Sequence, residues 1–153
     1  MKIRRVRIED LGKLQQLFRD SILKSGREHY TEAQLQEWSR RSDNEARWTS
    51  LIQEQFTILL ESENQIIAFA SLKDSDYFDF LYVNNDEQGK GYAKQLYMAI
   101  LAEAKKCGAT KIFSDVSYMA RPFFEARGFN VLHENENKLG METLVNFRVE
   151  KEI

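Results

Sequence analysis

At 153 residues the chain is expected to be one domain, residues 1–153, long enough to bury a sizeable core. Its 42% hydrophobic and 30% charged residues exclude a disordered or collagen-like composition. A net charge of −2 with no long basic run argues against nucleic acid as a partner, and no apolar stretch approaches the ~18 residues of a membrane span.

The start, Met1-Lys2-Ile3-Arg4-Arg5, alternates polar and apolar residues and has no apolar signal-peptide core, so a soluble cytoplasmic protein is expected. Residues 2–7 read as an edge-like strand. Asp10 stands where a helix cap belongs, and Leu11, Leu14, Leu17, Phe18 and Ile22 follow at helical spacing up to Gly26. Thr31-Glu32-Ala33-Gln34 is a capping box for a second helix carrying Leu35 and Trp38. Residues 40–45 read as a loop and 47–55 as a short helix with Trp48, Leu51 and Ile52. Residues 56–60 and 65–73 then form a hairpin around the polar turn 61–64, and the aromatic-rich run 77–83 is a third strand. Ala93, Leu96, Tyr97, Ile100, Leu101 and Ala104 make one apolar stripe over about three helical turns. Lys105 and Lys106 complement its dipole and Gly108 stops it. Strands are expected at 111–116, 129–133 and 142–149, with a short helix at 120–127 and a solvated hairpin loop at 133–138. The order implies an α/β (α+β) sandwich around a mostly antiparallel sheet.

The lone Cys107 excludes an intrachain disulfide, and His29 and His133 lack metal-ligand spacing, so no metal site is expected. The chemistry concentrates in Gln88-Gly89-Lys90-Gly91-Tyr92-Ala93, which joins a strand to the best helix of the chain. A helix start offers unpaired amides and partial positive charge to an anion, and glycine lets the backbone approach it closely. The small Ala93 keeps the first turn clear and Lys90 adds charge. On the two glycines alone, a plain turn and an anion site remain equally open. The Gly-Lys-Ser/Thr ending of a P-loop is missing.

Gln88-x-x-Gly91-x-Ala93 resembles the Gln/Arg-x-x-Gly-x-Gly/Ala signature of the GNAT superfamily of N-acetyltransferases. Residues 117–129, Ser117-Tyr118-Met119-Ala120-Arg121-Pro122-Phe123-Phe124-Glu125-Ala126-Arg127-Gly128-Phe129, resemble that family's second conserved stretch. Residues 145–151 resemble its closing strand, and the element order agrees over nearly the whole chain. The resemblance implies a mostly antiparallel mixed sheet, flanked by helices and splayed between its fourth and fifth strands. Acetyl-CoA is the implied cosubstrate. Its pantetheine would lie along Leu81, Tyr82 and Val83, its pyrophosphate on residues 88–93, and Ser117, Phe123 and Phe124 beside it. Tyr30 and Trp38 would contact the acceptor, a small-molecule or peptide amine, with Glu28 or Glu37 attracting its ammonium. A homodimer is an analogy from the family.

Asp79 is the first candidate base, because strict alternation puts it on one face with Leu81 and Val83. The alternative is a solvent-facing strand residue. Asp115 is a second candidate. Phe124 stands where many family members carry a tyrosine acid. Ser117 or Tyr118 would substitute, or no acid is needed, since a thiol of pKa about 8.5 is a fair leaving group. The enzyme reading therefore stands beside a non-catalytic acyl-CoA-binding or regulatory module on the same fold, and beside an interaction domain whose glycine turn is only structural.

Overall fold

The computed structural model describes residues 1–153. In chain order the elements are β1 (Lys2–Arg5), α1 (Leu11–Ser25), α2 (Glu32–Ser39), α3 (Glu45–Gln53), β2 (Gln55–Ser62), β3 (Gln65–Lys73), β4 (Tyr77–Val83), α4 (Tyr92–Lys106), β5 (Lys111–Val116), α5 (Arg121–Ala126), β6 (Asn130–Leu139) and β7 (Glu142–Glu152). The seven strands form one sheet in the order β1-β2-β3-β4-β5-β7-β6. Every neighbouring pair is antiparallel except β4–β5.

Each face of the sheet has its own core. The stripe of α4, Leu96, Tyr97, Ile100, Leu101 and Ala104, packs with Phe78, Ile112, Phe124, Phe129 and Val149 on one face. On the other, Leu14, Phe18 and Ile22 of α1 and Trp48 and Leu51 of α3 meet Leu59, Phe69 and Phe80. The α2 capping box closes as its sequence requires. The Thr31 hydroxyl accepts the Gln34 amide at 3.1 Å, and the Gln34 side chain accepts the Thr31 amide at 2.9 Å. Glu63 and Asn64, with φ of 51° and 64°, make the two-residue turn of the β2–β3 hairpin.

Three readings depart from the sequence expectation. Asp10 makes no cap bond to α1; its carboxylate accepts the Arg7 amide at 2.8 Å and pairs with Arg4. Residues 40–45 are no open loop: Arg40–Asp43 form a 3-10 turn, and Asn44 then caps α3 by accepting the Arg47 amide. Residues 133–138 are not a hairpin loop but the middle of β6, paired with β7 from His133↔Arg148 to Lys138↔Thr143. This edge strand turns Asn135 toward a polar network and Asn137 toward the Leu144 carbonyl and leaves most of its other polar residues to solvent, so it lacks the apolar alternation that marks a strand.

Two irregularities of β4 shape the site. First, β4 and β5 pair only at Tyr77↔Phe113 and Phe78↔Ser114, and beyond that point they splay apart. The buried Ser114 hydroxyl ties the end of the pairing by donating to the Phe78 carbonyl at 2.7 Å. Second, Ser71 pairs with Phe80 while Leu72 pairs with Phe78, which leaves Asp79 as an extra, bulged residue. The bulge reverses the alternation of side chains. Phe78 packs with α4, Phe80 and Tyr82 pack on the α1–α3 face, and Leu81 and Val83 return to the α4 face. The shared face of Asp79 with Leu81 and Val83, expected from strict alternation, is corrected accordingly. Asp79 turns with Phe80 toward α3, where Arg47 reaches it.

Candidate active site

The splay opens into a cavity of about 1150 Å³ that reaches both faces of the sheet. The amides of Phe80 and Asn84 point to β3, donating to the Ser71 hydroxyl at 3.2 Å and the Ile67 carbonyl at 2.8 Å. Alternation turns the backbone groups of Leu81 and Val83 the other way, into the opening where β5 has left. Tyr82 differs from both: its backbone faces β3 opposite Phe69, and its ring stands on the α1–α3 face.

The head of α4 closes one end of the opening. Gly89 and Gly91 take φ of 78° and 84°, the left-handed region that favours glycine, and no atom stands within 4 Å of where a Cβ would be. Every backbone amide from Gly89 to Lys94 lacks a protein acceptor, and the first helical bond is Gln95 to Gly91. This run of free amides at the positive end of a fifteen-residue helix is an anion cradle. Gln88, Tyr92 and Ala93 line the cavity with the glycines. Lys90 does not; its ammonium pairs with Glu87 at 2.8 Å, and Lys94, one turn on, lines the wall instead. On the β5 side, the Ser117 hydroxyl accepts the Ala120 amide at 3.2 Å and keeps its own hydrogen free. Phe123 lines the wall under the Arg127 guanidinium, and Phe124, only 2% exposed and packed edge-on against Phe78 and Phe129, borders the cavity from the core.

Polar groups collect on the opposite face. Asp115 of β5 accepts both arms of Arg148 at 2.8 and 3.0 Å, the Tyr77 hydroxyl at 2.6 Å and Asn135 at 2.8 Å. Burial pushes the Asp115 carboxyl up, but the bonds from Arg148 and Tyr77 outweigh it and hold it below the usual carboxylate range. Burial, then the bond to Asp115, raises the Tyr77 hydroxyl well above the ordinary tyrosine value, so it stays a donor. Asp79 accepts from Gln55 at 2.8 Å and Arg47 at 3.3 Å.

The lowered Asp115 value fixes the sign of a pH dependence. A depressed carboxyl contributes stability above its unfolded value of about 3.9 and loses it as pH falls through the folded value. Asp115→Asn is expected to cost about 2 kcal/mol at pH 7, between the figures for exposed and buried pairs. Urea melts at a series of pH values are expected to show that difference shrinking below pH about 4; a difference independent of pH would remove the ion pair as its source.

A family model described as an acetyltransferase (GNAT) domain matches residues 27–150. The chain belongs to the GNAT family. It is 22% identical over 147 residues to the uncharacterised N-acetyltransferase YafP of Escherichia coli K12, covering 96% of this chain and 93% of that one. The fold of a GCN5-related N-acetyltransferase from Rhodopseudomonas palustris superposes with a TM-score of 0.95 at 29% identity, over 99% of this chain and 95% of that one. PaiA N-acetyltransferase from Thermoplasma acidophilum, solved with coenzyme A, superposes at 0.81 with 21% identity, over 99% and 98%.

Within the GNAT fold, the residues singled out from sequence divide in two. Leu81, Val83, Gln88, Gly89, Gly91, Tyr92, Ala93, Ser117 and Phe123 surround the opening. Tyr30 and Trp38 line the α1–α3 side, but the Tyr30 hydroxyl is committed, accepting the Tyr118 amide and donating to the Val145 carbonyl. Glu28 and Glu37 do not reach the cavity; Glu37 pairs with Arg40. Sequence reasoning missed Tyr77, Arg148, Asn135, Arg41 and Arg47. Arg148 lies in the closing strand that carries the GNAT resemblance, but only the β5–β7 register, Asp115↔Arg148, gives it a partner.

Proposed function

We propose that this single domain is an acetyl-CoA-dependent N-acetyltransferase, transferring acetyl to a primary amine of a small molecule or peptide by direct attack in a ternary complex. The run of partnerless amides from Gly89 to Lys94 at the mouth of the β4–β5 opening carries the reading. A diphosphate suits it: the donors are backbone, the helix end is positive, and the space beside both glycines is clear. The outward backbone groups of Leu81 and Val83 supply a strand edge for a pantetheine amide, and the Phe123 ring supplies an apolar wall. The thioester contributes an activated acetyl group and a thiolate leaving group.

This chain's residues orient the reaction and handle its protons. A free β4 amide stabilises the charge developing on the carbonyl oxygen. Asp79 receives, through water, the proton that an ammonium must lose before attack; its carboxylate lines the cavity on the α3 side of β4. Asp115 is a poorer base, because four hydrogen bonds already occupy it. Ser117 donates its free hydrogen toward the leaving sulfur. Phe124 donates none, and a thiol needs little help near neutral pH. Asp79→Asn is expected to lower kcat about 100-fold with acetyl-CoA affinity within twofold. A changed pH dependence of kcat is the accompanying signature, and an unchanged profile would remove Asp79 as the base.

A thermal-shift titration tests the binding reading. Acetyl-CoA at 100 times its Kd stabilises a native-only binder by about 2.7 kcal/mol. No shift at millimolar ligand would sink it.

A further inference from the structure

The α1–α3 wall of the cavity carries an unbalanced positive charge. Arg41, in the 3-10 turn after α2, and Arg47, in α3, both line it. Arg41 is held in place through its backbone: its carbonyl accepts the indole N–H of the fully buried Trp48 at 2.9 Å. Its guanidinium makes no ion pair and donates no hydrogen bond to the protein. Arg47 lies over the Phe80 ring at 4.7 Å and gives one contact, at 3.3 Å, to Asp79. Asp79 is also bonded to Gln55, and no carboxylate pairs with Arg41. The remaining cavity arginine on this face, Arg148, is already matched by Asp115. Burial, then the neighbouring Arg47, pushes the Arg41 guanidinium below its ordinary value, and no carboxylate offsets them.

Two guanidinium groups on one wall, Arg47 held by Asp79 and Phe80 and Arg41 without a protein partner, have donors to spare for a carboxylate. Their position selects an acceptor by size as well as charge. Arg47 touches β4 at Asp79, two residues before Leu81, whose backbone faces the opening. Two strand residues span about 7 Å. An acid and an amine carried on one small molecule bridge that distance. Partnerless donors of Trp38 and Tyr82, also on this wall, remain for the body of such a molecule.

We infer that the acceptor is a small amino carboxylate, an amino acid in chemical class, whose acid group sits between Arg41 and Arg47 while its amine meets the opening at Leu81. The inference rests on the N-acetyltransferase reading and narrows its substrate.

The test uses matched acceptors, free amino acids and their carboxamides, with thiol release from acetyl-CoA as the readout. Replacing the carboxylate removes the anion and also lowers the amine pKa, so the pairs are compared as kcat/KM for the neutral amine. The intact protein is expected to favour acids over carboxamides by about 30-fold in kcat/KM, the worth of a charge-assisted pair. Arg41→Gln is expected to cut that ratio about 10-fold, and Arg41→Lys to restore part of it. The Arg41 side chain holds no protein partner, so these variants are expected to melt with the parent. Equal turnover of acids and carboxamides, turnover of uncharged amines alone, or an unchanged ratio in Arg41→Gln would overturn the inference and leave the enzyme reading standing. No amine-dependent thiol release from either set, despite an acetyl-CoA thermal shift, would count against both.

Discussion

Gly91→Glu is expected to weaken acetyl-CoA binding about 1,000-fold while the protein still folds. Gly91 caps α4 with φ of 84°, and a side chain there costs about 1–2 kcal/mol of backbone strain. Nothing stands within 4 Å of its Cβ position, so no clash adds to that. The new carboxylate projects where the amides of Gly89 to Lys94 await an anion. Two like charges 4 Å apart repel by about 4 kcal/mol near a protein surface, and about 1.4 kcal/mol is tenfold in affinity. Strain and repulsion are separable, because Gly91→Ala carries only the strain, which is present with and without ligand, and is expected to lower stability by about 1 kcal/mol while affinity stays within about threefold. Calorimetric titration of both variants checks this; a glutamate variant that binds like the parent would place the diphosphate elsewhere.

Trp48→Ala is expected to be the most damaging change to stability. The ring is 0% exposed and meets Phe18 and Phe80 edge-on at 5.2 and 5.3 Å. Truncating a buried tryptophan costs about 3–5 kcal/mol, which lowers Tm by about 10 °C in a domain of this size. The indole also donates to the Arg41 carbonyl, so Trp48→Phe keeps most of the ring volume and loses that tether. Denaturant melts are expected to rank the parent above Phe and Phe above Ala. Trp48 belongs to the α1–α3 core, away from α4, so a folded Phe variant is expected to bind acetyl-CoA normally. A large loss of that affinity would show the two faces to be coupled.

Local patterns carried much of this fold in the sequence. The α4 stripe and the Thr31–Gln34 box depend on residues within a turn of one another, and both formed as spaced. The glycine-rich loop at the head of α4 was legible for the same reason: its glycines and the helix behind them are contiguous. Features made by register were not. The Asp79 bulge exists only because Ser71 and Leu72 pair with Phe80 and Phe78, and no residue near Asp79 announces it. It moved the candidate base from the Leu81 face to the Arg47 side. Asp115, Arg148 and Asn135 come from three strands and meet only when β7 pairs between β5 and β6. The second of these pairings uses a polar edge strand with no apolar period, which is why it read as a loop.

The two faces divide the work expected of a bisubstrate site. The α4 face holds backbone donors, indifferent to side chain and suited to a cosubstrate shared across a family. The α1–α3 face holds side chains, Arg41, Arg47, Tyr77 and Trp38, that are free to differ with the acceptor. Phe124 fits this division. It is a core residue under the opening, and it brings no hydroxyl there.

The most direct measurement is thiol release from acetyl-CoA across a broad amine panel, with the acetylated product weighed by mass spectrometry. The account predicts amine-dependent release matched one-to-one by N-acetylated product. Thermal stabilisation by acetyl-CoA with no amine-dependent release across the panel would contradict it and leave a coenzyme-binding module in its place.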